Sequence, residues 1–369
     1  MERADWRFTA VSIVAMALAH FGSVPCAIPR ALAGNTTVVP PPAADHETAG
    51  RNRTALMDAA VNGDAMVAER EINLGANVNA EDGDGNTALS LASKAGNVAI
   101  AKRLLAAGAA INHRNHKGES PLVFAAAAGH GPIVRELMAR GADRHALPVS
   151  LMSPLALAAT GCFDASVEAL LTSGETADQA LPDGRTALMI VAGDCPAHMA
   201  DLLVKHGATL DVADIGGRSA IWYAAEKGNI AVVETLLRLG AKPDAADLSG
   251  ETPLHRALLR AHVAIALQLM RGGADSARAG ASGTTPLMMA AKGGSVELVS
   301  GLLKSSADIN ARNDAGLSAL MVAASTGQGE VVRQLLKAGA STTLHNKKRE
   351  TAYDMATAAG HAEIAALLK

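Results

Sequence analysis

The apolar and polar positions of this chain repeat with a fixed period of 33 residues over almost 300 residues. Each period opens with a hydroxyl residue, then Pro or Ala, then Leu or Ile, two variable residues and usually an Ala-Ala pair. A second apolar stripe at helical spacing follows, and a Gly recurs 21 residues after the hydroxyl in most units. The hydroxyl residues are Thr54, Thr87, Ser120, Ser153, Thr186, Ser219, Thr252, Thr285, Ser318 and Thr351. This pattern predicts two helices per unit, the first with a hydroxyl N-cap and the second with a glycine C-cap, stacked into a repeat array.

The opening phrase of each unit resembles the ankyrin repeat, whose signature is Thr-Pro-Leu-His. The whole signature stands at residues 252–255, Thr-Pro-Leu at 285–287, and Ser-Pro-Leu at 120–122 and 153–155. The resemblance covers about residues 51–369. It implies an all-α solenoid of ten repeats, with short β-hairpin fingers directed to the concave side. We expect capping repeats at residues 51–80 and 346–369, because polar residues there replace members of the paired leucines of the second helix.

Residues 1–33 do not follow the period. Basic residues precede an apolar stretch of about 12 residues, which is short for a bilayer span. Ala31-Leu32-Ala33 then supplies small residues at the −3 and −1 positions. This is the pattern of a secretory signal peptide with cleavage between Ala33 and Gly34. The alternatives are an uncleaved inner-membrane anchor, a misassigned start and a buried segment. Residues 34–50, which contain three consecutive prolines, are predicted to form a disordered tether.

Composition and motifs mainly exclude functions. The formal net charge is −3, so electrostatics favours neither nucleic acid nor, after signal cleavage, a membrane as partner. The sequence contains no Gly-x-Ser-x-Gly or phosphate-binding loop, and no insertion interrupts a repeat to carry catalytic residues. His113, His116 and His145 lack the carboxylate or cysteine spacing of a metal site. We therefore expect no enzyme activity, no cofactor and no bound metal.

Cys162 and Cys195 are one period apart and replace the Gly that other repeats place between their helices. An exported chain would meet an oxidising compartment, so a disulfide between the fourth and fifth repeats is one interpretation. Equivalent positions on neighbouring helices lie about 8–10 Å apart. A disulfide needs Cα atoms about 4.4–6.8 Å apart. Two separate buried thiols are therefore the alternative, unless the irregular turns close this gap.

The resemblance places the third residue after each hydroxyl near the groove. The fourth residue after the hydroxyl is its neighbour in the sequence. In repeats five to nine these positions hold methionines, an aromatic pair and one arginine, a composition typical of binding surfaces. The predicted partner-binding residues are Met189, Ile190, Trp222, Tyr223, His255, Arg256, Met288, Met289 and Met321. The alternative is that half of them pack between the inner helices. The fourth finger, residues 147–152, is also unusually apolar and would be either an adhesive tip or a docked turn.

These patterns together predict a monomeric, non-catalytic module that binds an unidentified protein in the bacterial periplasm along its concave groove. The resemblance to exported bacterial ankyrin proteins implies a protective or immunity-type role in the envelope. Two alternatives stay open at this point: a secreted, host-directed effector, and a purely structural envelope scaffold. If the N-terminal segment is not cleaved, the protein would be anchored in the inner membrane, and if the segment directs export from the cell, the protein would be secreted.

Overall fold

The computed structural model describes residues 53–145, 148–305 and 307–369. The predicted signal peptide (1–33), its cleavage site between Ala33 and Gly34, and the predicted tether (34–50) lie outside the described residues. Within the described ranges, twenty α-helices follow one another as ten pairs, one pair per repeat. The first helices are α1 (Ala55–Asn62), α3 (Ala88–Ala95), α5 (Pro121–Ala127), α7 (Pro154–Thr160), α9 (Ala187–Asp194), α11 (Ala220–Lys227), α13 (Pro253–Leu259), α15 (Pro286–Gly293), α17 (Ala319–Ser325) and α19 (Ala352–Ala358). The second helices are α2 (Ala65–Asn73), α4 (Val98–Ala106), α6 (Gly131–Ala139), α8 (Asp164–Thr172), α10 (Ala197–Lys205), α12 (Ile230–Arg238), α14 (Val263–Arg271), α16 (Val296–Lys304), α18 (Gly329–Lys337) and α20 (Ala362–Leu367). The fold is thus the all-α solenoid that the resemblance implied.

The periodic hydroxyl begins each first helix as its N-cap. In eight repeats its oxygen accepts a hydrogen bond, 3.2–3.4 Å long, from the backbone N–H three residues later. Thr186 and Ser219 occupy the same position without that bond. Such a cap satisfies one of the backbone donors that a helix start leaves open, and removing it costs about 1 kcal/mol.

The predicted fingers are tight turns, and the described residues contain no strand longer than an isolated bridge. We call the turn that precedes the first helix of repeat n finger n. In every finger from 2 to 10 except finger 4, the N–H five residues before the hydroxyl donates to the carbonyl one residue before it, at 2.9–3.1 Å. The residue two positions before the hydroxyl has positive φ, and it is Gly in seven fingers but Leu151 (φ 57°) and Arg349 (φ 63°) in the other two. This is a short hairpin turn closed by a left-handed residue.

The core runs continuously through the stack because every repeat buries the same positions. The Leu or Ile two residues after the hydroxyl is at most 1% exposed in repeats 1 to 9. The paired alanines are also buried, and their small side chains let neighbouring first helices approach closely. Burying one such Leu stabilises the fold by about 1.5–3 kcal/mol. The stack is therefore rigid, which fixes the positions of the side chains on its surface.

The first capping repeat differs from the expectation in one respect. Glu71, the polar residue that replaces one of the paired leucines there, is only 6% exposed, and its carboxylate accepts a 2.7 Å hydrogen bond from the Arg70 guanidinium. Exposed apolar side chains instead occur at Met66 and Leu74 in the first repeat and at Leu367 in the last. No described helix has both the length and the apolar character needed to cross a membrane.

Candidate functional site

Cys162 and Cys195 are joined by a disulfide in the structure, with Cα atoms 5.4 Å apart. The helix spacing that argued against this bond does not apply, because neither residue lies in a helix. Cys162 occupies the turn between α7 and α8 with φ 53°, the conformation that Gly adopts in most other repeats. Cys195 is the extended C-cap residue of α9 and is followed by Pro196. The two turns bring the sulfur atoms together and tie the fourth repeat to the fifth.

Five of the nine predicted partner-binding residues are buried in the structure, as in the alternative in which they pack between the inner helices. All five occupy the third position after the hydroxyl and are between 1% and 6% exposed. They are Met189, Trp222, His255, Met288 and Met321. The reason is the rotation of the first helix, which turns its third position toward the neighbouring repeats. The sequence pattern gave the correct helix but not this rotation.

His255 shows how completely the third position is used by the fold. The backbone N–H of Thr252 donates to Nδ1 of His255 at 3.2 Å, and Thr252 Oγ1 lies 2.8 Å from the same nitrogen. Burial lowers the pKa of His255, which favours the neutral ring. Because Nδ1 accepts from the Thr252 N–H, the proton lies on Nε2, which has no hydrogen-bond partner among the described residues. A Cβ added to Gly280 in finger 8 would lie 2.8–2.9 Å from this ring. The histidine therefore joins two repeats and is not free for a ligand.

The other four predicted residues lie at the fourth position and are partly exposed: Ile190, Tyr223, Arg256 and Met289. The same position is partly exposed in repeats three, four and nine, where it holds Phe124, Leu157 and Val322, which the prediction left out. The 33-residue period was the signal that could have found them. We call these seven side chains the groove row. It is apolar or aromatic at every position except Arg256.

A polar and aromatic cluster surrounds the buried Trp222 in repeats six and seven. The Tyr223 hydroxyl donates a 2.6 Å hydrogen bond to Asp214, and Arg218 contacts the same carboxylate at 2.8 Å. The Arg218 guanidinium lies 5.3 Å from the centre of the Tyr223 ring, and that of Arg256 lies 4.9 Å from the centre of the Trp222 ring. Cation–π contacts of this kind stabilise by about 0.5–2 kcal/mol. The cluster holds the groove row in place at Tyr223.

Asp214 is the charged centre of this cluster. Burial opposes its charge, but hydrogen bonds from Tyr223, Arg218 and the backbone outweigh burial and lower its pKa below 3.8. Burial and the bond to Asp214 raise the pKa of the Tyr223 hydroxyl, which therefore remains a donor. Because the folded pKa of Asp214 is depressed, its contribution to stability is present above pH 3.8 and is lost as the pH falls further. At neutral pH Asp214 is therefore charged and holds its bonds to Tyr223 and Arg218.

Glu175 is another buried acid, and its carboxylate has no hydrogen-bond partner among the described residues. The residue is 6% exposed. Burial raises its pKa, although the charges of His145 and Arg144 act in the opposite direction. The equivalent residues of other repeats are all alanine: Ala76, Ala109, Ala142, Ala208, Ala241, Ala274, Ala307 and Ala340.

We expect Glu175→Ala to stabilise the protein by about 1–3 kcal/mol at pH 7, the cost of a buried unsatisfied polar group. Since the folded pKa lies above 4.5, the wild type loses stability relative to the variant as the pH rises through the folded pKa. Urea unfolding followed by circular dichroism from pH 4 to pH 8 measures this difference. The reverse substitution Ala208→Glu, one repeat later, should destabilise. Equal stability of Glu175→Ala and wild type at all pH values would contradict the assignment.

The histidines and acids elsewhere on the surface do not converge. Among the described residues, no group of three or more His, Cys, Asp or Glu side chains is placed to hold a metal ion. His113 Nε2 instead lies 2.9 Å from the carbonyl of Gly85, and so it links finger 3 to finger 2. The groove row, which is partly exposed and in register from repeat to repeat, is therefore the candidate site.

Comparison with known proteins agrees with this geometry. The family model that describes three copies of the ankyrin repeat matches this chain in six overlapping ranges: residues 15–115, 56–147, 91–180, 155–247, 239–313 and 302–369. The crystal structure of the human ASB11 ankyrin repeat domain is similar, with a TM-score of 0.56 and 26% sequence identity over 60% of this chain and 99% of that one. No curated protein sequence matches the chain significantly. Since the family matches extend over far more than half of the residues, this chain belongs to the ankyrin repeat family.

Proposed function

We propose that this protein binds another protein in the bacterial periplasm along the groove formed by its first helices and fingers, and that it catalyses no reaction. Ankyrin repeats are protein–protein interaction modules, and the family generally serves as a binding scaffold without catalysis. The location in the periplasm is supported by the signal-like pattern of residues 1–33. The disulfide adds support, because such bonds persist in oxidising compartments.

The groove row carries this proposal. Seven consecutive repeats place a partly exposed side chain at one helix position, and six of the seven are apolar or aromatic. Folding leaves these side chains accessible even though the adjacent third position is buried. Large apolar side chains in register on a rigid scaffold favour a partner that buries them, and Tyr and Arg are the residues enriched at binding hot spots.

A capture experiment with matched variants tests the proposal. The bait is the form that accumulates in the periplasm, which we expect to begin at Gly34. We expect it to retain one or more periplasmic proteins, and Ile190→Ala combined with Met289→Ala to lower retention roughly 10-fold or more, since each truncation removes about 1–2 kcal/mol of contact. The control Val296→Ala truncates a partly exposed residue of a second helix, away from the groove row.

The two variants should unfold at nearly the same urea concentration as the wild type, because the truncated side chains are partly exposed. Retention lost with the groove variant and kept with Val296→Ala supports binding by the groove. The proposal is contradicted if the groove double variant retains as much protein as the Val296→Ala control, or if no protein is retained from any periplasmic extract.

A further inference from the structure

The tips of the fingers form a second ordered surface, separate from the groove row. In each finger the tip consists of the residues four and three positions before the hydroxyl, which are the two central residues of the turn. The first of these is apolar and exposed in five consecutive fingers, from finger 4 to finger 8. They are Val149, Pro182, Ile215, Leu248 and Ala281. We call them the tip row.

The large aliphatic side chains of the tip row are mostly exposed. Val149 is 77% exposed, Ile215 70% and Leu248 81%. Leu151 in finger 4 adds a further apolar side chain that is 50% exposed, in a left-handed conformation that Gly adopts in seven other fingers. A bulky residue in that conformation costs stability, and here it gains little packing in return. Aliphatic side chains repeated at one exposed position mark an interaction surface.

Backbone hydrogen bonds fix the spacing of the tips. The N–H of Val149 donates to Lys117 O at 2.9 Å, that of Ile215 to Asp183 O at 3.2 Å, and that of Leu248 to Gly216 O at 2.9 Å. Each of these bonds joins a tip to the preceding finger. At about 8–10 Å per repeat, the nine tips from finger 2 to finger 10 extend over about 70 Å. The surface is long enough for an interface of standard size.

Charged tips flank the tip row on both sides in a specific order. Before it, finger 2 carries the exposed Asp84 and finger 3 the exposed His116 and Lys117. After it, finger 9 carries the exposed Asp314 and finger 10 the exposed Lys347 and Lys348. None of these side chains forms an ion pair with another described residue of the chain. The order from finger 2 to finger 10 is therefore acidic, basic, five apolar, acidic, basic.

When the order of the tips is read in reverse on a second copy, each acidic tip is opposite a basic tip and each apolar tip is opposite an apolar tip. If a second copy lies antiparallel with Ile215 on the two-fold axis, finger n of one copy faces finger 12 − n of the other. Lys117 then faces Asp314 of the second copy, Asp84 faces Lys348, and the apolar tips face one another. We propose that the fingertips form the interface of a two-fold symmetric dimer of this chain. A closed dimer of this type uses the same patch on both copies, which requires such self-complementarity.

The proposal differs from the monomer that the sequence favours, and it does not rest on the groove binding a partner. The tip row and the groove row are different positions of the repeat, so each can be substituted without changing the other. One charge lies among the apolar tips: Asp183, whose carboxylate is 2.6 Å from the Arg185 guanidinium of the same finger. This internal pair compensates the charge of Asp183 within its own finger.

Light scattering and sedimentation of the purified protein, with the N-terminus that it carries when recovered from cells, test the dimer. We expect a dimer at micromolar concentrations. Ile215→Asp should raise the dimer Kd by roughly 100-fold or more, because the axis brings the two introduced carboxylates together in an apolar contact. Met66→Asp is the matched control, since Met66 is 85% exposed but lies in α2, outside the fingers.

A charge exchange tests the antiparallel order. Lys117→Glu should weaken the dimer because two carboxylates then face each other, and Lys117→Glu combined with Asp314→Lys should restore it. Leu151→Gly should weaken the dimer without lowering the melting temperature, since Gly suits the left-handed position. A monomer at all concentrations overturns the proposal. A dimer that is insensitive to Ile215→Asp, or one that the double charge exchange does not restore, also overturns it.

Discussion

Trp222→Ala is expected to destabilise the protein by about 3–5 kcal/mol, the usual cost of removing a buried aromatic side chain. Trp222 is 6% exposed and lies beneath the Arg256 guanidinium, with the Tyr223 ring 5.4 Å away in an edge-on arrangement. Its removal leaves a cavity between repeats six and seven. The Arg256 guanidinium and the Tyr223 ring also lose their contact with the indole ring. Urea unfolding followed by circular dichroism at 222 nm measures the loss.

Trp222→Phe is the matched variant and should recover part of the stability, since a smaller ring still fills much of the cavity and faces Arg256. Ile190→Ala, at the partly exposed fourth position, should cost far less than Trp222→Ala. A Trp222→Ala protein with the wild-type melting temperature would show that the residue is a surface contact and not part of the core. Because repeat arrays can unfold in parts, the transition of the variant can also broaden.

Loss of the disulfide between Cys162 and Cys195 is expected to destabilise the protein by up to about 3–4 kcal/mol, the chain-entropy value for a closed loop of one repeat. The sequence separation of the two cysteines is 33 residues. The double variant Cys162→Ala with Cys195→Ala should show this loss in urea, and a reducing agent should lower the stability of the wild type to a similar level.

A second double variant separates the cross-link from the local conformation. Cys162→Gly with Cys195→Ala removes the same bond, but Gly tolerates the positive φ at residue 162 and should recover about 1 kcal/mol. Thiol titration of the denatured protein taken directly from the periplasm should find no free thiol. Two titratable thiols, or stability that does not respond to reduction, would contradict the disulfide.

The repeat architecture was predictable because each unit carries its own start and stop signals. The hydroxyl N-cap, the proline that follows it in four repeats, and the glycine after the second helix act over a few residues. Ten copies in phase make those local signals unambiguous. The start of α13, for example, follows directly from Thr252 and Pro253. The family and the fold therefore follow from the sequence.

The groove was predicted only in part, because neighbouring positions of one helix differ by about 100° in direction. Both Trp222 and Tyr223 belong to α11, but the stack buries the first and leaves the second partly exposed. A local pattern cannot decide between them, since the rotation of a helix about its axis is set by the helices on either side. The same limit explains why Met288 was assigned to the groove.

The sequence by itself determined the repeat phase, the helix pairs, their caps and the class of the molecule, because these depend on interactions within one repeat. The tertiary structure decided which positions are accessible, since accessibility depends on how a repeat meets its neighbours. Cys162 and Cys195 show this most directly: helix spacing predicted too long a distance, whereas two turns from adjacent repeats bring the Cα atoms to 5.4 Å. The exposure of Val149, Ile215 and Leu248 was likewise decided by the stack, which buries the helices and leaves the finger tips in solvent.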